Sequence, residues 1–229
     1  MRVLQASAAA ELGPADVAVV IDVLRATTSA CVLLHRGARR VLPVETPEAA
    51  TELARTLSSP LLVGERDRGA LPGFVDNSPS RLFRLDLRGR DVVFTTTNGT
   101  RVILACQGAG RVVVGGLVNA TALAQVLDDA ESVAVVACGW KGGPASDDDA
   151  VAAYVAELIA GEAPERESVV EAVLQSVSAR RLSENGKRAD VDLAIQFDAF
   201  PVVPVLAHKA LVDYNDYGDR NGHGSSEDE

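Results

Sequence analysis

Three polar clusters in this chain hold residue types able to grip and work on an oxyanion. The first is Asp22, Arg25, Thr27 and Thr28; the second runs from Thr95 to Thr100 and includes Thr97, Asn98 and Gly99. The third holds Cys138, Gly139 and Lys141, followed by Asp147, Asp148 and Asp149. An arginine can hold two oxygens of one anion through parallel N–H groups. Hydroxyls and the free N–H groups of a helix start add donors, and a glycine lets the backbone come close. Adjacent carboxylates, with Glu65 elsewhere in the chain, are hard oxygen donors of the kind magnesium takes. Each cluster also has an ordinary reading. Asp, Thr and Ser cap helices, acids at a helix start complement its dipole, and Arg25 reads equally as a solvated charge.

The flanking segments place all three clusters at strand-to-helix turns. The first follows the apolar run at 17–21 and precedes the apolar helical face at 29–34. The second follows 91–94 and precedes a helix at 101–107, and the third follows 132–137 and precedes a helix at 150–159. Further strands are expected at 40–44, 61–63, 111–114 and 202–205, with helices at 48–57, 119–127 and 165–181. Thr46 and Pro47 give a helix cap and first turn, and Asn119 is a plausible cap. Residues 64–79, with Glu65, Arg66, Asp67 and Arg68, read as a long loop of the kind that carries function. Alternating strand and helix implies a largely parallel sheet covered on both faces, with its polar turns on one edge. Ligands bind at that edge.

Composition narrows the partners. The chain has 229 residues, 47% hydrophobic but only 4% aromatic, and a net charge of −10. That balance argues against nucleic acid or an anionic membrane as a partner. A small anion is still admissible, because a metal or an arginine inverts the local charge. No apolar stretch has the length of a membrane span, and the start of the chain lacks a signal-peptide core. Cys31, Cys106 and Cys138 lack a metal spacing and fit reduced thiols in the cytoplasm. His35, His208 and His223 are too scattered for a histidine metal site. A thiolate-phosphatase role for Cys138 lacks its downstream arginine, since Gly142, Gly143 and Pro144 stand there. Residues 1–212 read as one domain and 213–229 as an acidic, disordered tail.

Taken in order, these pieces resemble the 2-phosphosulfolactate phosphatases of the coenzyme M pathway, the ComB family. The resemblance rests on Asp22-Val-Leu-Arg-Ala-Thr-Thr28, Gly64-Glu65, Asn77-Ser78-Pro79 and Thr97-Asn98-Gly99-Thr100. Asn119-Ala120, Cys138-Gly139 and the acidic run at 146–149 continue it, so that it covers residues 20 to 205. The chain departs from the family pattern at Asp76, where glycine is usual, at Asp147 and Asp148, where Leu-Glu is usual, and at Ala153-Tyr154, where Ala-Gly is usual.

The resemblance implies a three-layer α/β/α fold and a magnesium-dependent phosphatase acting on a small phosphorylated 2-hydroxy acid. With that chemistry, Asp22, Arg25 and Glu65 are the catalytic candidates, and the placement of Asp22, Glu65, Asp148 and Asp149 at separate strand ends makes them the carboxylates from which the magnesium ligands are drawn. Phosphate or substrate would be held by Arg25, Thr27, Thr28, Asn77, Ser78, Thr97, Asn98, Gly99, Thr100, Asn119 and Gly139. A homo-oligomer is compatible with it.

Two other readings stay open. Asp22 could serve as a covalent nucleophile, as in haloacid-dehalogenase-like enzymes, although Leu24 stands where those carry a second aspartate. A non-catalytic phosphometabolite binder would use the same cradle, but would gain nothing from carboxylates beside a phosphate. A nucleotide-binding domain is disfavoured by the absence of the Rossmann and P-loop patterns.

Overall fold

The computed structural model describes residues 1–6, 15–66, 69–140 and 143–221. Asp67, Arg68, Lys141, Gly142 and His223, named above, lie outside the described residues, as does the tail from 222.

The apolar runs form the sheet. Strands β1 (Arg2–Ala6), β8 (Ser132–Ala137), β2 (Val17–Ile21) and β7 (Arg111–Gly115) lie side by side and parallel. A second parallel group holds β3 (Arg40–Pro43), β6 (Asp91–Thr95) and β4 (Leu61–Arg66). The hairpin β9 (Pro204–Ala207) and β10 (Ala210–Asp213) joins the two groups through antiparallel pairs with β7 and β3. A two-residue strand, β5 (Gly69–Ala70), closes the far edge against β4.

Every residue of β2 is buried, and its side chains alternate between two cores. Ala18 and Val20 face one cluster, with residues of α1 (Ala26–His35) and α4 (Gly99–Ala105). Val17, Val19 and Ile21 face the other, with residues of α5 (Ala120–Gln125), α6 (Ser146–Ile159) and α7 (Arg166–Gln175). Helices on both faces of a mixed, largely parallel sheet make three α/β/α layers, as expected. The period-two burial of continuous apolar strands is the physical reason.

Some expected elements change. Thr46 caps α2 (Pro47–Ala54) as expected, its hydroxyl accepting from the Ala49 N–H at 3.1 Å. The 64–79 loop is shorter than expected, because β4 runs on to Arg66. The helix expected at 165–181 is two helices, α7 and α8 (Val177–Glu184), divided at Ser176. There the backbone is extended and the Ser176 hydroxyl caps α8 by accepting from the Ala179 N–H. Helix α6 begins at Ser146, so the acidic run lies within its first turn. Strand β1, the short helix α3 (Pro79–Leu82) and α9 (Arg188–Ala194) were not expected. The proposed tail boundary also moves, since helix α10 (Tyr214–Asn221) follows β10 directly. Tyr214 accepts a hydrogen bond from Arg111 at 3.0 Å and ties that helix to the sheet.

Candidate active site

The turn after β2 is closed by its own side chains. Asp22 Oδ1 accepts from the Ala26 N–H, and the Thr27 hydroxyl donates to the Asp22 carbonyl at 2.9 Å. The Thr28 hydroxyl donates to the Val23 carbonyl. Thr27 and Thr28 are wholly buried. Their expected place on the phosphate is corrected: both hydroxyls are committed to the backbone and shape the turn that presents Asp22.

Four strands separate β2 from β6 in the sheet, yet the turn after β6 rests on Asp22. Gly99 makes this approach possible, because a Cβ there would lie 2.7 Å from Asp22 Oδ2 and collide with the Ala26 side chain. Thr96 and Thr100 cap each other's backbone N–H groups. Gly99 and Thr100 therefore build the turn rather than touch a ligand. Thr97 donates through its N–H to Glu65 Oε1 at 2.9 Å, and Asn98 donates to the Gly139 carbonyl. The hydroxyl cradle inferred for 95–100 is thus largely occupied by protein partners. Thr96, Thr97 and Asn98 remain on the cavity wall.

The third turn follows β8. Gly139 has a φ of 64°, and a Cβ on it would strike the Gly143 carbonyl, so glycine is required there. Asp148 Oδ1 accepts from the Val23 N–H at 2.9 Å, which pins the start of α6 to the turn after β2. Asp147 accepts from Ser178 of α8 at 3.2 Å. Both acids line the cavity; Asp149 does not. The helical rotation turns Asp149 away, reversing the expected order in which Asp149 mattered and Asp147 did not. Cys138 is buried, and burial with nearby Asp22 and Asp148 pushes its thiol well above the usual range. It is no nucleophile.

Arg25 enters the cavity wall with its guanidinium gripped from behind. Nη1 donates to Asp190 of α9 at 2.8 Å and Nη2 to Asp76 at 3.1 Å. Asp190 also accepts from the Ser78 hydroxyl at 2.6 Å and from the Ser80 N–H. Asp76 pairs with Lys187 at 2.8 Å. Burial opposes its ionisation, but Arg25 and Lys187 hold its carboxyl below the usual range. Ser78 therefore positions Asp190 and does not reach the cavity. Asn119, wholly buried, bonds Gly116 and the Val202 carbonyl, so its expected role in binding is corrected to a structural one. Asn77 does line the cavity, and its buried Oδ1 has no hydrogen-bond partner among the described residues. A buried acceptor left open on a cavity wall is a place for a ligand's donor.

The cavity has a volume of about 460 Å³, suited to a small molecule. Acids Asp22, Glu65, Asp147 and Asp148 share its wall with Arg25, Arg66, Arg181 and Lys187. Asp22 and Asp148 are buried and enter no ion pair among the described residues. Burial pushes the Asp22 carboxyl up to about 6, opposed by its bond from Ala26 and aided by the charges of Glu65 and Asp147. Asp148 is likewise raised well above the usual carboxylate range, by burial and then by Asp22 and Asp147.

Two like-charged carboxylates that form no ion pair among the described residues suit a divalent metal that would neutralise both. No three His, Cys, Asp or Glu residues among the described residues form a closed metal cage. Magnesium commonly takes only one or two carboxylates and keeps waters or substrate oxygens, so the donor set fits it.

Sequence reasoning missed Arg181, Asn185 and Lys187, which reach the wall from α8 and the turn after it. The face of α8 at 178, 181, 182 and 185 was legible as a helical spacing, but not as a cavity wall.

Comparison with known proteins gives the family. The family model described as 2-phosphosulpholactate phosphatase matches residues 4–209. A protein of Symbiobacterium thermophilum named "Probable 2-phosphosulfolactate phosphatase" is 43% identical over 149 residues, 63% of this chain and 64% of that protein. A Deinococcus radiodurans protein of the same name is 37% identical over 83% of this chain and 88% of its own length. One from Caldanaerobacter subterraneus subsp. tengcongensis is 31% identical over 82% and 86%. The chain belongs to the 2-phosphosulpholactate phosphatase family, a family of phosphoric monoester hydrolases.

Proposed function

We propose that this chain releases phosphate from a small 2-phospho acid, with 2-phosphosulfolactate as the substrate its relatives' names indicate, and that it does so with magnesium. One observation carries the reading: Asp22, at the turn after β2, and Asp148, in the first turn of α6, are both buried on the wall of a cavity that also presents arginines, and neither enters an ion pair among the described residues. A protein that only bound a phospho acid would be weakened by those carboxylates, because they repel the ligand. A phosphatase uses them to hold a cation. Asp22 and Asp148 would hold magnesium directly, with Glu65 and Asp147 within the same wall. When bound, the ion neutralises charge on phosphoryl oxygens.

The chain's own residues supply the rest. Arg25, fixed by Asp76 and Asp190, offers an immobile positive charge to the anion, which avoids reorganisation during reaction. Glu65 fixes the Thr97 turn through two contacts, at 2.9 Å to its N–H and 3.3 Å to its hydroxyl. Asn77 offers an amide able to accept or donate toward the substrate.

The test is a screen of phosphorylated small acids for released phosphate in the presence of magnesium. The reading expects 2-phosphosulfolactate and its near analogues to lead the ranking. Stoichiometric binding of these compounds with no phosphate released would favour the non-catalytic binder.

A further inference from the structure

Helix α8 and its C-cap turn one face to the cavity: Ser178, Arg181 and Leu182, then Asn185 at the cap, follow at helical spacing, and all line it. The Arg181 guanidinium carbon lies 5.1 Å from the centre of the Trp140 ring. The other three cations of this wall are engaged. Arg25 is held by Asp76 and Asp190, and Lys187 by Asp76. Arg66 donates to the carbonyls of Glu45 and Glu65 and to the Thr95 hydroxyl. Among the described residues, Arg181 alone of the four keeps its N–H donors uncommitted to an oxygen.

A guanidinium stacked on an indole is held flat while its edge still carries a fork of donors, which matches a carboxylate or sulfonate. Its depth in the cavity says which part of a ligand it meets. Arg181 is exposed, whereas Asp22 and Asp148 are buried. A phospho acid seated with its phosphate at the buried carboxylates would carry its remote end toward α8.

We propose that Arg181, stacked on Trp140, is a specificity residue that receives the second strong anion of the substrate, the sulfonate or an equivalent acid remote from the phosphate. This rests on the phosphatase reading above and assigns the end of the substrate that reading leaves open.

The test compares two substrates that differ only in that group: 2-phosphosulfolactate, and 2-phospholactate, which has a hydrogen in place of the sulfonate. Arg181→Gln is expected to lower kcat/KM for the first by about tenfold or more, the scale of one charge-assisted hydrogen bond, mainly through KM. The rate with 2-phospholactate should stay within about twofold of wild type, and Arg181→Lys should restore part of the loss. Arg180→Gln, on the same helix but not on the cavity wall, removes an equal charge and should leave both substrates unaffected.

Equal losses on both substrates, or no loss on either, would overturn the assignment. Trp140 is the only tryptophan, so its fluorescence gives a second readout. Sulfolactate should change it saturably in wild type, lactate should not, and Arg181→Gln should abolish the sulfolactate response. If wild type releases phosphate from neither compound, the phosphatase reading falls. The titration then still decides the subsite: a sulfolactate response supports it, and none overturns it.

Discussion

Two buried aspartates at opposite ends of the sheet have opposite fates. Asp91 opens β6 and is clamped by Arg39 at 2.6 Å and by Arg40 at 3.1 Å. The Arg39 hydrogen bond leads the effects that bring its carboxyl down to about 2. Asp22 follows β2, enters no ion pair among the described residues, and burial brings it up to about 6. Both expose little surface, at 2% and 8%, but different causes lead: the Arg39 hydrogen bond for Asp91, which lies near the surface, and burial for Asp22, which lies deeper. The amino edge of the sheet pairs its acid with arginines, while at the carboxyl edge Asp22 and Asp148 accept backbone N–H groups and enter no ion pair among the described residues, as the proposed cation site requires. Strained, unpaired charge of this kind concentrates at functional sites.

The largest effect should come from breaking the unpaired side. Asp22→Asn or Asp148→Asn should lower kcat by about a hundredfold or more, the scale lost with a group that stabilises charge in the transition state. Neither should lower the melting temperature of metal-free protein much, because like-charge repulsion is relieved. Steady-state kinetics beside thermal unfolding measures both. A destabilised variant with normal kcat would make these residues structural.

Arg25→Lys should follow. Lysine cannot bridge Asp76 and Asp190 as the guanidinium does, so turnover should fall about tenfold or more, with a drop in melting temperature from the unpaired buried acid. This differs from a surface arginine, whose replacement would alter neither.

On the paired side, Asp91→Asn should cost about 1–2 kcal/mol of stability in denaturant unfolding, kept small because the half-exposed arginines return to water. Its phosphate release should equal that of wild type.

The pH dependence sharpens the same comparison. The Asp91 carboxyl is lowered in the fold, so its contribution is full above the ordinary range near 3.8 and is lost as pH falls through about 2. The Asp22 carboxyl is raised, so its contribution is full below 3.8 and is lost as pH rises through about 6. Unfolding free energies of metal-free wild type should therefore fall between those values relative to Asp22→Asn. Parallel curves for the two proteins would remove Asp22 from the account.

The smallest effect belongs to Asp149→Asn. That residue lies off the cavity wall, so only the helix-dipole contribution of about 0.3–1 kcal/mol should be lost, with turnover retained.

The strands and the three turns were legible in the sequence because continuous apolar runs such as 17–21 and 132–137 are buried on both faces. The convergence of those turns was legible too, since parallel strands put their carboxyl ends on one edge. The partners were not. Asp190 reaches Arg25 across 165 residues of sequence, and nothing local to either marks the pairing. Arg181 was hidden because one helix was expected where Ser176 makes two, and that break sets the direction in which α8 faces. Asp147 and Asp149 were exchanged because a helix turns about a hundred degrees per residue, so two residues two apart point to nearly opposite sides, in directions fixed by where the helix begins. Thr27, Thr28 and Asn119 looked like ligand groups because the residues that close turns are the same types that hold phosphate.

The most direct test of the central claim is phosphate release from 2-phosphosulfolactate by protein stripped of metal, followed as magnesium is returned. The account predicts no turnover in the stripped protein and saturable recovery with magnesium, shifted to higher concentration or lost in Asp148→Asn. Full turnover in verified metal-free protein would contradict it.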